Sequence, residues 1–213
     1  METITELRPV VFAGLPLFNM MPILQTNTRK ILRIGISGHR FLSDPERLTA
    51  ALENVCQTLH FRFPQIGWQI CSPLAEGADR LAASVFLKHQ SDLIAILPLP
   101  PEEYLLSFST ADSREEFTQY LYKAQEVIQL PAQPDVDQAY AALGLFLLEN
   151  CDILLVIWDG SASQGKGGTG EIALEARRRK IPMIWIHAGN RISGTQTATS
   201  LGDEQGRVDY ENF

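Results

Sequence analysis

The chain has 213 residues, of which 25 are acidic and 18 basic, so the net charge at neutral pH is −7. That balance excludes a general nucleic-acid-coating protein, which carries a basic excess. A hydrophobic share of 45% with 20% charged residues excludes both a disordered chain and a membrane bundle, and the length suits one domain with short additions.

Residues 1–30 read as an N-terminal arm. Its stretch from Pro9 to Leu24 is apolar but broken by prolines and a glycine, and it is shorter than the ~20 residues that span a bilayer. Glu2 and Glu6 stand where a secretory signal carries positive charge. The expectation is an arm packed on the body or on a second copy, in a cytoplasmic homo-oligomer with no membrane contact.

From Ile31 the pattern becomes regular. Ile31 to Ser37 is a strand closed by Gly38, and Asp44-Pro45 starts a helix with Leu48, Leu52, Val55 and Leu59 on one face. Ile66 to Cys71 is the second strand. Gly77 and Asp79 open a second helix, and Asp92 to Leu97 is a third strand stopped by prolines. A short helix from Pro101, a helix capped at Asp112 or Ser113, and a strand from Glu126 to Leu130 follow. Asp135 opens the next helix, Ile153 to Trp158 is the strongest strand, a helix runs over 169–180, and Ile181 to His187 is the last strand. Strands that are apolar throughout are covered on both faces, as in a parallel sheet. The predicted fold is therefore a single α/β domain over 31–187, a doubly wound, mostly parallel Rossmann-like sheet of five to seven strands flanked by helices. Residues 188–213 read as a polar, flexible C-terminal tail.

Cys56, Cys71 and Cys151 are far apart and form no disulfide or zinc pattern, so reduced thiols are expected; the four histidines lack metal-type spacing, so no metal is expected.

Ligands of open α/β sheets bind beyond the carboxyl ends of the strands, and three loops there carry unusual chemistry. Ser37-Gly38-His39-Arg40 brings a hydroxyl, an imidazole and a guanidinium to the first strand tip, and arginine suits a phosphate. Glu76-Gly77-Ala78-Asp79-Arg80 offers carboxylates, a glycine at a helix start and a cation. The loop from Asp159 and Gly160 through Gly165, Lys166, Gly167, Gly168 and Thr169 holds four glycines in six residues before a helix, which makes an anion cradle of backbone amides, a hydroxyl and a lysine. Its lysine precedes the glycine pair, so it is not a Walker A loop. Glu171, in the first helical turn, is either a cap, a ribose ligand, or a nucleophile or base.

Together these loops resemble the Smf/DprA–LOG (SLOG) superfamily of Rossmann-like nucleotide-binding proteins. Leu74-Ala75-Glu76-Gly77-Ala78-Asp79 is similar to the L-A-R-G-I-D loop of the DprA branch. Gly168-Thr169 with Glu171 is similar to the G-G-x-G-T-x-x-E loop of LOG phosphoribohydrolases and to an element of nucleoside deoxyribosyltransferases. Ser37 to Arg40, Ser72 to Leu81, Trp158 to Gly160 and Gly167 to Thr169 match the layout of bacterial members without an assigned activity. The LOG glutamate falls three residues after the threonine, where Ile172 stands here, and the LOG M-x-x-R-K segment has no counterpart.

The resemblance implies a nucleotide or nucleotide-derived ligand, with no other cofactor, bound at the strand tips by a sensor or binding module; Asp79 and Glu171 would contact ribose. A second expectation is an enzyme that cleaves or transfers an N-glycosidic bond of nucleoside monophosphates, with Glu171 and Arg80 as catalytic candidates. A third is an assembly module with a degenerate site. Nucleic acid is not an expected partner of so acidic a chain.

Overall fold

The computed structural model describes residues 30–162, 167–192, 195 and 197–213. In chain order the elements are β1 (Ile31–Gly38), α1 (Pro45–Arg62), β2 (Gly67–Ser72), α2 (Ala78–Lys88), β3 (Asp92–Leu97), α3 (Pro101–Leu105), α4 (Ala111–Lys123), β4 (Glu126–Gln129), α5 (Val136–Asn150), β5 (Ile153–Trp158), α6 (Thr169–Arg179), β6 (Met183–His187) and β7 (Val208–Glu211). They build one seven-stranded sheet in the order β4-β3-β2-β1-β5-β6-β7. Strands β1 to β6 pair in parallel, and β7 lies antiparallel on β6. The chain thus winds outward from β1 to β4, returns to the centre, and winds the other way from β5. The order reverses between β1 and β5, which is where a doubly wound sheet opens a crevice for a ligand.

The apolar strands acquire two covered faces because successive side chains point to opposite sides. In β5, Ile153, Leu155 and Ile157 join the core beneath α1 and α2, together with Ile34, Ile36, Leu52, Val55 and Phe86. Leu154, Val156 and Trp158 face the other way onto Ile172, Ala173 and Ala176 of α6. Further along that face, Leu143 and Leu147 of α5 close over Cys71, Ile94 and Ile96.

The helix starts follow their local chemistry. Asp44 accepts the Arg47 N–H at 3.2 Å before α1, and Asp135 accepts the Gln138 N–H at 2.8 Å before α5. The cap of α4 is Thr110, which accepts from Ser113 N–H at 3.1 Å, rather than the expected Asp112 or Ser113. Lys180 ends α6 with a left-handed φ of 55°.

The C-terminal segment differs from the expected flexible tail. A 3₁₀ turn at Gly202–Glu204 leads into β7, which pairs Ile186 with Val208 and Ile184 with Tyr210. The Arg177 guanidinium grips Glu211 at 2.8 and 2.7 Å. Phe213 packs against the main core. Backbone pairing and one bidentate ion pair hold a segment that carries few apolar residues. The expected arm at 1–30 lies outside the described residues apart from Lys30.

Candidate functional site

A cleft of about 670 Å³ opens at the carboxyl ends of β1 and β5. Its walls come from the β1–α1 loop, the start of α2, α3, one face of α5, the segment after β5, the start of α6 and the segment after β6. Ser37, Gly38, His39, Arg40, Asp79, Asp159, Gly167, Gly168 and Thr169 all line it, so three loops far apart in sequence converge.

The first wall is held by close packing. An added Cβ at Gly38 would stand 2.3 Å from the Ala78 Cβ and 2.5 Å from the Ile157 carbonyl oxygen. Only glycine lets the N-terminus of α2 approach the tip of β1 this closely. The approach is fixed by His39 N–H donating to Ile157 O and Ala78 N–H donating to His39 O, each at 3.0 Å.

His39 is a brace. Its Nε2 meets the Asp159 N–H at 3.1 Å and the Asp159 carboxylate at 3.2 Å, while its Nδ1 meets the Asn190 side-chain amide at 3.1 Å. The ring therefore ties the tips of β1, β5 and β6 together, and both of its nitrogens are engaged within the protein. Burial lowers its pKa and Asp159 works against that shift. Burial also opposes the charge on Asp159, but the hydroxyl and N–H of Ser161, with His39, outweigh it and hold that carboxyl below its usual range.

Arg40 projects from the same loop and is exposed. It donates to the Tyr140 hydroxyl on α5 at 2.7 Å. The positive charge is thereby aimed along the wall of the cleft, and the tyrosine keeps its own O–H to donate elsewhere.

The α6 end supplies backbone donors. The first N–H groups of any helix lack intrahelical acceptors, and the N-cap here is Gly168, which has no side chain to satisfy them. Gly167 has a φ of 75°, and a Cβ there would meet Ala141 N at 2.6 Å, so a bare backbone is required against α5. The Thr169 and Ser37 hydroxyls share a hydrogen bond of 3.0 Å that joins α6 to β1. Gly165 and Lys166, expected in the same cradle, lie outside the described residues.

Asp79 sits on the floor. It is 5% exposed and accepts the Ala75 N–H at 3.1 Å. Burial raises its pKa to about 7, against the opposing pull of the Ala75 N–H, Arg40 and Arg80. It is thus poised between its neutral and charged forms at neutral pH.

Several expected residues take other roles. Arg80 is 3% exposed and does not line the cleft. It donates to Leu74 O at 2.9 Å, to Ser113 Oγ at 2.9 Å and to Glu116 at 2.8 Å, and it lies 4.5 Å over the Phe108 ring. One residue further along a helix turns a side chain by ~100°, which is why Asp79 faces the cleft and Arg80 faces α4. Glu76 receives the Ser113 hydroxyl at 2.5 Å, and with Gly77 and Arg80 it borders a neighbouring groove. Gly160 rests against the Trp185 ring. Glu171 is exposed, and its carboxylate accepts the Gly167 N–H at 2.7 Å. It caps its own loop and is not among the residues lining the cleft.

The cleft also contains residues that sequence reading missed. Tyr104 of α3, Tyr140 of α5, Phe41, and Asn190 and Arg191 after β6 all line it. Asn190 was within reach of the strand-tip rule, since it follows the carboxyl end of β6 directly. Tyr104 and Tyr140 arrive from helices to which the sequence assigned no role at the site.

No family model matches the chain, and no curated protein matches it either. Among solved structures, the chain is similar to DNA processing protein A (DprA) from Streptococcus pneumoniae, with a TM-score of 0.54 and 16% identity. The similarity covers 82% of this chain and 53% of that one, so the chain spans about half the length of that protein. This likeness, together with the seven-stranded doubly wound sheet, places the chain among Rossmann-like α/β folds.

Proposed function

We propose that the cleft binds a nucleotide or nucleotide-derived ligand, and that the protein acts as a binding module or sensor for it. One observation carries this reading: the uncapped N-terminus of α6 and the exposed Arg40 guanidinium line one cleft at the point where the strand order reverses. A helix N-terminus and an arginine are two standard receivers of a phosphate. At about 670 Å³ the cleft is large enough for the base and sugar as well. The resemblance of the Ser37, Glu76 and Gly168 loops to SLOG proteins points to the same ligand class.

Binding is preferred over N-glycosidic bond cleavage. The cleavage reading rests on Glu171 and Arg80, and neither lines the cleft. Glu171 is engaged with Gly167 N–H, and Arg80 with Leu74, Ser113 and Glu116.

The test is a thermal-shift titration of the protein with mono-, di- and cyclic nucleotides and ADP-ribose. A ligand that binds only the folded state raises the melting temperature by mass action, by about 2.7 kcal/mol of stability at a hundredfold excess over Kd. The reading expects a shift with at least one nucleotide and loss of that shift in Arg40→Ala. No shift at millimolar concentration from any of them contradicts it.

A further inference from the structure

Tyr104 is fully buried, yet among the described residues its hydroxyl has no hydrogen-bond partner. Its ring is well held. Phe108 lies edge-on at 5.1 Å and Phe117 edge-on at 5.5 Å, with Tyr140 at 6.4 Å. A phenylalanine would make the same contacts without leaving an unsatisfied polar atom, which is a costly feature in a buried position. Packing therefore accounts for the ring and leaves the hydroxyl unexplained. Tyr104 and Asp79 line the same cleft. Burial, with the Asp79 charge adding to it, raises the Tyr104 pKa, so its phenol stays a donor.

We propose that Tyr104 and Asp79 form a hydroxyl-reading subsite, in which a sugar hydroxyl of the ligand accepts from the Tyr104 O–H and donates to the Asp79 carboxyl. A hydroxyl group suits this pair because it is donor and acceptor at once. A phosphate suits it poorly once Asp79 is ionised, because a dianionic phosphate offers no proton to a carboxylate and would add negative charge beside Asp79. The phosphate therefore belongs with Arg40 and the α6 N-terminus, and the sugar with the floor made by α2 and α3. The subsite rests on the nucleotide reading and assigns it a selectivity: ribonucleotides bind better than analogues that lack one sugar hydroxyl. Sites built to hydrogen-bond a hydroxyl reject analogues without it, since their own buried groups are then left unpaired.

The experiment is calorimetric titration of the full chain with AMP, 2′-deoxy-AMP and 3′-deoxy-AMP, on the natural protein and on Tyr104→Phe. The natural protein is expected to bind AMP at least about tenfold more tightly than one of the two deoxy compounds. Tyr104→Phe is expected to bring AMP close to the affinity of that deoxy compound and to leave the deoxy compound's own affinity unchanged. Its melting temperature without ligand should equal or exceed that of the natural protein, because an unpaired buried hydroxyl is removed. A lower melting temperature with unchanged selectivity would assign the hydroxyl to the fold and overturn the proposal. Equal binding of all three compounds by the natural protein would overturn the subsite and leave the nucleotide reading intact. If none of the three binds while another nucleotide does in the thermal-shift titration, the hydroxyl selectivity proposed here fails; if no nucleotide binds at all, both readings fall together.

Discussion

Replacing Asp79 by asparagine should change how stability depends on pH. In the folded protein burial raises the Asp79 pKa to about 7, from the 3.8 of a solvated aspartate. Below pH 4 both folded and unfolded chains hold the proton, and the residue is neutral in each. Between pH 4 and 7 the unfolded chain releases the proton and the folded chain keeps it, so stability falls as pH rises. Above pH 7 both are ionised and the loss levels off. Each unit of pKa difference is worth ~1.4 kcal/mol, so the accumulated loss is on the order of 4 kcal/mol. Asparagine retains an oxygen for the Ala75 N–H and does not titrate in this range. Urea denaturation of both proteins at several pH values is the assay. The stability of Asp79→Asn relative to the natural protein should rise by about 4 kcal/mol from pH 4 to pH 8, with most of the change between pH 5 and 7. Any fixed gain or loss from the new amide offsets the whole curve and leaves its slope untouched. A difference that stays flat across this range would mean that Asp79 titrates as a solvated carboxylate, and the buried floor of the cleft would be refuted.

Three further outcomes follow from the packing. Gly38→Ala forces a methyl group against the Ala78 Cβ and the Ile157 carbonyl, both on rigid elements, and should cost about 3 kcal/mol by chemical denaturation. Arg80→Ala removes three hydrogen bonds and the stacking on Phe108; it should lower stability by about 2 to 3 kcal/mol while the folded variant still binds nucleotide in a titration. Removing residues 207–213 takes away β7 and the Arg177–Glu211 pair and bares the edge of β6. Its melting temperature should fall, and light scattering should detect association through the uncovered edge.

Much of the fold was legible because β1, β3 and β5 are apolar on both faces, a pattern that belongs to buried parallel strands. Asp44 and Asp135 announced their helices through cap chemistry. β7 was not legible: it is a short edge strand, its residues are mostly polar, and its place depends on main-chain pairing to β6 and on Glu211 meeting Arg177. At the site, position along the chain found the loops that reach the strand tips but not which way each side chain turns. Asp79 and Arg80 are neighbours in sequence and face different grooves. The sequence left Glu171 open between a cap, a ribose ligand and a reactive carboxylate, and the side chain holds the Gly167 amide. Tyr104 gave no signal, because a buried hydroxyl with no hydrogen-bond partner among the described residues shows only in the packing.

Whether a nucleotide lies across the tips of β1 and β5 can be read from the backbone amide resonances of the isotope-labelled protein, followed during titration with the nucleotide that gives the largest thermal shift. The largest shifts are expected on Ser37 to Arg40, Asp159, Gly167 to Gly170 and Asn190. Shifts confined to α1 and β4, or a spectrum unchanged at saturating ligand, would contradict that placement.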